Sequence, residues 1–238
     1  MNLQVMLDAL PELLKGSVTT IELVGLSGLC GVLIAMPLAV ARASNRFWVR
    51  ALPTAYIFFF RGTPLLVQIF LVYYGLGQFE AVRESFLWPV LREAYWCAII
   101  TFSLHTAAYI SEILRGAIRA IPVGEIEAAK ALGMTRFTVL RRIVMPRAWR
   151  IALPAYGNEL VLMIKGSALA STITLLDLTG MARTVIAKNY MPVETFLTAG
   201  ILYLVLAYGV TRAIAFAERK LNPDRYVDRD AEATSETA

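Results

Sequence analysis

Residues 127–146 read EAAKALGMTRFTVLRRIVMP, and the organisation of the chain turns on them. Glu127, Ala128, Ala129, Lys130, Ala131 and Leu132 are good helix formers. Gly133 is where such a helix can end, because glycine accepts the left-handed turn that a side chain resists. Thr135 can then cap a second helix carrying Thr138, Val139, Arg141, Arg142 and Ile143, before Pro146. The segment is polar and basic, and it lies between two apolar runs each long enough to cross a membrane. The local chemistry predicts helix, sharp turn, helix, on the surface of a membrane protein.

Working outward, charged residues make up 17% of the 238-residue chain and hydrophobic ones 58%, where a soluble domain carries about a quarter charged. The deficit is concentrated in five runs: Ser17 to Ala41, about Pro53 to Gly77, Ala94 to about Ile118, about Ile151 to Leu176, and Thr195 to Ala217. At about 1.5 Å of rise per residue each can cross about 30 Å of hydrocarbon. Gly25, Gly28 and Gly31 give the first run a small-residue face for close helix packing. In the second, Arg61-Gly62-Thr63-Pro64 breaks or kinks the helix at Pro64. Such a break at membrane depth belongs where it faces protein or water. Glu80 to Glu93 and Asp177 to Glu194 read as mixed-charge connectors.

Orientation follows from lysine and arginine. With the N-terminus outside, the inner segments (42–50, 115–150 and 212–238) hold sixteen, and the outer ones hold five: Lys15, Arg83, Arg92, Arg183 and Lys188. The expectation is five spans, N-out and C-in, with the Glu127 segment inside. The net charge of +5 therefore reflects membrane orientation and does not indicate nucleic acid. Cys30 and Cys97 lie within apolar runs, without metal-ligand spacing and with no disulfide framework expected. With Asp8, Pro11, Glu12 and Lys15 near the start, no cleavable signal peptide is expected. One membrane domain, 1–220, is expected, followed by a polar cytoplasmic tail, 221–238.

The segment also resembles a known family. Glu127-Ala128-Ala129, then Gly133, then Ile143 and Pro146 reproduce the spacing of the EAA loop of ABC importer membrane subunits, with Met145 where leucine is usual. Arg61-Gly62-Thr63-Pro64-Leu65-Leu66-Val67-Gln68, and Ala108-Tyr109-Ile110-Ser111-Glu112-Ile113-Leu114-Arg115-Gly116-Ala117-Ile118, look like the polar-amino-acid branch, of the histidine, arginine and opine permease type. The likeness covers about residues 17 to 220. It implies an all-α, type I importer (MetI-like) permease in a bacterial inner membrane. It further implies that the loop, about 122–146, couples to an ATPase through Glu127, Ala128, Ala129, Gly133 and Pro146. Implied partners are two ATPase subunits, a second similar permease chain, an external substrate-binding protein and membrane lipid. The implied cargo is a polar amino acid, basic in character or an opine.

The membrane runs carry ionisable groups that need a partner, a cavity or a route to the interface. Arg61, His105 and Lys165 lie deep in their runs. Tyr109 and Glu112, four and seven after His105, share its helix face, and Gln68 bears the same seven-residue relation to Arg61 if the helix survives Pro64. These residues and Glu159 are the candidate lining of a substrate path. Arg61 or Lys165 would neutralise a carboxylate, and Glu112 or Glu159 would hold a cation. The competing possibility is structural: pairs such as Arg61–Glu159 or Lys165–Glu112 that only tie helices together. His105 stands where the family motif often has asparagine. It is the sole histidine, so it cannot form a metal site with another.

There is no G-x-x-x-x-G-K-[ST] phosphate loop, no HExxH and no CxxC. The chain is therefore expected to be non-catalytic, with ATP and magnesium held by partner subunits and no cofactor of its own. Other classes would be a stand-alone ion-coupled carrier or channel, or a scaffold that recruits a partner through the basic loop. The single EAA-like loop and the lack of an internal repeat favour the importer.

Overall fold

A computed structural model describes residues 2–221. Among them the structure is helical throughout. α1 (Leu3–Arg42) runs for 40 residues, with the Asn2 side chain accepting from the Gln4 N–H at its start. It begins at Leu3 rather than at Ser17. The buried positions explain this: Ala9, Leu13, Gly16, Thr20, Val24, Ser27, Gly31, Ala35 and Ala39 follow three- and four-residue steps through Pro11 without interruption. Most of these residues are small, so the neighbouring helix can come close.

α2 (Phe47–Gly62) ends at Thr63-Pro64. α3 (Leu65–Phe70) then continues through a π-turn, Leu71–Gly75, and a 3-10 turn, Leu76–Gln78. The two parts meet at 104°, so of the expected break or kink at Pro64 the structure has the break, as a sharp turn. Pro64 provides no N–H to continue the ladder, and the residue before it is pushed into extended backbone, as Thr63 is (φ −113°, ψ 143°). Two short helices, α4 (Glu80–Arg83) and α5 (Trp88–Leu91), lie in the mixed-charge connector. α6 (Ala94–Arg119) packs along α1. A side chain added at Gly31 would lie 3.2 Å from Thr106, and Ser27 Oγ donates to the Ile99 carbonyl at 3.4 Å.

α7 (Val123–Ala131) and α8 (Arg136–Val139) form the loop region, and a π-turn at Leu140–Val144 leads directly into α9 (Met145–Gly166). Pro146 therefore starts a helix rather than ending one. It has no N–H for the Arg142 carbonyl, and the chain relaxes by a wider turn in which the Met145 N–H reaches the Leu140 carbonyl. A 3-10 segment, Ser167–Ile173, follows α9. The expected connector from Asp177 onward is instead a helix, α10 (Leu178–Asn189). The buried Asp177 carboxylate caps it, accepting from the Thr179 and Gly180 N–H groups and the Tyr203 hydroxyl. α11 (Pro192–Leu221) completes the bundle. Apart from Leu221, which ends α11, the expected polar tail lies outside the described residues.

α1, α6 and α11 are each long and apolar enough to cross a membrane, and five crossings result if each bent pair counts as one. The largest core cluster sits at one end of the bundle. It joins Ala35 and Ala39 of α1, Ile110, Leu114 and Ala117 of α6, and Ala129, Val139, Val144 and Ala148 of the loop region and α9. The loop is thus built into the core that holds α1 and α6 together.

Candidate functional site

The first site is the loop at that end. α7 closes with two reverse hydrogen bonds: Gly133 N–H to the Lys130 carbonyl at 2.9 Å, and Met134 N–H to the Ala129 carbonyl at 3.1 Å. This is the Schellman arrangement, and it requires the left-handed conformation that Gly133 adopts, φ +79°. Thr135 caps α8, accepting from the Thr138 N–H at 3.3 Å. Ala129 is buried, while Glu127, Ala128, Gly133 and Pro146 are exposed. Leu132 and Phe137 stand 83% and 69% exposed beside the basic residues Arg136, Arg141 and Arg142. Apolar side chains held out from a rigid loop are what a docking surface offers.

The second site is where two helices break. Arg61 is the last residue but one of α2, and Lys165 holds the same place in α9. Each cation therefore sits at the negative end of a helix dipole. Both side chains are exposed on the chain. The two breaks converge: a side chain added at Gly166 would lie 3.3 Å from Leu65 at the start of α3. Between them and α6 lies a cavity of about 140 Å³, lined by Leu65, Phe102, His105, Thr106, Tyr109, Glu159, Leu162, Met163 and Gly166.

Gln68 does not continue the face of Arg61, because the helix does not survive Pro64. It is buried, and its side-chain amide nitrogen lies 2.9 Å from the Phe60 carbonyl, 3.1 Å from the Thr63 carbonyl and 2.7 Å from Thr63 Oγ1. It thereby caps carbonyls that α2 leaves unpaired at its end. Its oxygen lies 3.0 Å from His105 Nδ1. The His105 ring packs on Tyr109 with centroids 5.0 Å apart, and the Arg61 guanidinium lies 5.1 Å from the Tyr109 centroid. Glu159 is buried and lines the cavity. No ion pair joins Arg61 to Glu159 among the described residues.

The model of a family described as "binding-protein-dependent transport system inner membrane component" matches residues 30–223. The chain belongs to this family. The permease is 49% identical over 213 residues to the octopine transport system permease protein OccM of Rhizobium meliloti, covering 90% of this chain and 87% of that one. It is 47% identical over 224 residues to the nopaline transport system permease protein NocM of Agrobacterium fabrum, covering 94% and 93%. With the histidine/lysine/arginine/ornithine transport system permease protein HisM of Escherichia coli it shares 40% over 206 residues, covering 86% and 87%. A solved amino acid ABC transporter with histidines superposes with a TM-score of 0.80 at 30% identity, over 92% of this chain and 99% of that one. A methionine ABC transporter in an inward-facing conformation superposes at 0.70 and 20% identity, over 88% and 96%, which supports the fold alone. The permease therefore has the type I importer fold and is the membrane subunit of an ABC importer, a family that works with an ATPase and a binding protein.

Within the permease, Glu112 does not meet Lys165. It pairs with Arg115 at 2.8 Å and lies 3.4 Å from Arg42, away from the cavity lining. Its expected place on the His105 face holds along the helix, but a separation of seven positions, about two turns, carries it towards the loop. The Gln68–His105 contact was not legible, because the partners lie on different helices. Two polar residues inside apolar runs were the available signal.

Proposed function

We propose that the permease carries a basic amino acid or opine and forms its translocation path together with a second similar permease chain. Two ATPase subunits bind on the inside, where they hold ATP and magnesium, and a substrate-binding protein binds outside. The chain itself is non-catalytic. It sits in a bacterial inner membrane, N-out and C-in, so that the loop faces the cytoplasm. Glu127, Ala128, Ala129, Gly133 and Pro146 belong to the coupling element. ATP-driven closure of the ATPases moves the loop, and because Ala129 and Val139 share the core of α1 and α6, the motion passes as a rigid body to the helices around the cavity.

The observation that carries this reading is the Schellman turn at Gly133, which fixes exposed Leu132 and Phe137 on an element rooted in the main core. The cargo assignment rests on the cavity. Glu159 and His105 serve the cationic end of the cargo. Arg61 and Lys165, exposed at helix ends near the breaks, serve its carboxylate, and Gln68 holds the break together. Glu112 works as a tie between helices. The test is purification of the tagged chain from native membranes in mild detergent, assayed for co-purifying ATPase activity and for cargo uptake after reconstitution. Co-purifying ATPase activity, with uptake per ATP hydrolysed that falls in a Gly133 variant, supports the proposal. A chain that purifies without any ATPase under several conditions overturns it.

A further inference from the structure

We propose that Gln68 is a positioning residue that holds His105 in the Nδ1–H tautomer, so that His105 Nε2 presents a lone pair to the cavity and accepts an N–H from a cationic ligand. This rests on the proposed role of the cavity as the seat of the cargo's cationic end.

The orientation of the Gln68 amide decides the tautomer. One of its two terminal atoms faces the Phe60 and Thr63 carbonyls at 2.9 and 3.1 Å. Carbonyl oxygens only accept, so the atom facing them must be the NH₂ group. Thr63 Oγ1 adds a third contact at 2.7 Å, and its own hydrogen is committed to the Phe59 carbonyl at 2.8 Å, which leaves it an acceptor as well. A flipped amide would set oxygen against three oxygens. The Gln68 oxygen must therefore face His105 Nδ1, 3.0 Å away. An amide oxygen only accepts, so Nδ1 carries the hydrogen, and in the neutral ring Nε2 is left with its lone pair.

The carbonyls that fix Gln68 are free because α2 ends there. Pro64 has no N–H and turns the chain away. The broken helix thus sets the protonation geometry of a side chain on a different helix. His105 is the only histidine in the chain, and its Nε2 has no protein partner among the described residues while its ring lines the cavity.

The chemistry of the cavity then selects a ligand. Glu159 supplies a carboxylate, His105 a lone pair and Tyr109 a ring, while Leu65, Phe102 and Met163 are apolar. No cationic side chain is among the lining residues, and Arg61 lies 5.1 Å from the Tyr109 centroid. Such a set favours a group rich in N–H donors and lacking lone pairs, a guanidinium or an ammonium. At about 140 Å³ the cavity is larger than a single water needs, enough to admit the charged end of a side chain.

The test is nitrogen NMR of the assembled transporter labelled with ¹⁵N-histidine, prepared without the external binding protein. The His105 signals are assigned by their loss in His105→Asn. The expected spectrum has a protonated Nδ1 and an unprotonated Nε2. Gln68→Leu should convert it to the opposite tautomer or a mixture, and Thr63→Val, which leaves both backbone carbonyls that orient the amide, should retain it. Added L-arginine should shift the Nε2 signal, and L-glutamate should not. A parent spectrum with Nε2 protonated, or one unchanged in Gln68→Leu, overturns the proposal and leaves the cavity's role standing. A correctly set tautomer whose Nε2 ignores arginine overturns the cavity's cargo role, and the proposal with it.

Discussion

The Glu112 carboxylate lies 3.4 Å from the Arg42 guanidinium, joining the last residue of α1 to the final third of α6. Arg115 completes the group from the next turn, with its Nε donating to Glu112 at 2.9 Å. The three side chains are about four-fifths buried. Glu112→Gln would leave two largely buried guanidinium groups without a counter-charge. The expected cost lies between that of a surface pair and a buried one, about 1–3 kcal/mol. It should appear as a lower thermal midpoint of the detergent-solubilised complex. The double variant with Arg42→Gln should lose less than the sum of the single losses. Strict additivity, or a loss confined to binding of cationic cargo in a fully stable complex, would refute the tie.

Gly133 has a φ of +79°, and an added Cβ there would meet nothing within 4 Å. The cost of substitution is therefore purely one of backbone conformation, about 1–2 kcal/mol for an ordinary side chain. Gly133→Val should assemble with its partners yet show ATP hydrolysis poorly coupled to uptake. Gly133→Asn, which tolerates the left-handed region, should be milder. Uptake per ATP hydrolysed in proteoliposomes is the readout, and equal coupling in parent and valine variant would count against the turn as the coupling element.

Glu159 is the one carboxylate lining the cavity. Glu159→Gln should weaken binding of L-arginine to the purified transporter by roughly ten- to a hundredfold, the scale of a hydrogen bond to a charged group. A neutral amino acid should bind as before. Equilibrium dialysis without the external binding protein separates this effect from the specificity of that protein. Unaltered arginine binding would remove Glu159 from the cargo site.

Along α1, glycines differ by what faces them. A Cβ at Gly16 would stand 2.8 Å from the Asp177 carbonyl and 2.9 Å from the Leu178 Cα, both backbone atoms that cannot swing aside. At Gly25 it would meet nothing within 4 Å. Gly16→Ala should therefore destabilise the permease by about 1–3 kcal/mol, as overpacking does, and Gly25→Ala should leave the thermal midpoint unchanged. Similar midpoints for the two variants would show that α10 does not pack on α1 this closely.

Much of this was open to the sequence because it is local. The Schellman turn needs only residues 129 to 134, and the Thr135 cap only the next few. The break at Pro64 follows from a missing N–H and a ring. Small residues at helical spacing marked the packing face of α1, although only Gly28 and Gly31 of the three expected glycines have close neighbours. α10 was missed because its charges gave it the look of a connector, while the cap that starts it, Asp177, points inward to Tyr203. A buried cap has the same composition as an exposed turn.

What the sequence by itself determined is the set of apolar runs, their basic flanks and the points where helices start, turn and break, since these depend on neighbours within about one or two turns. Tertiary structure alone decided the 104° turn after α2, the choice of Arg42 and Arg115 over Lys165 for Glu112, and the contact of Gln68 with His105. Periodicity tells which face of a helix is buried, but the partner of a charge or an amide is fixed by how two helices cross. That crossing is set by the packing of small residues far away in the chain.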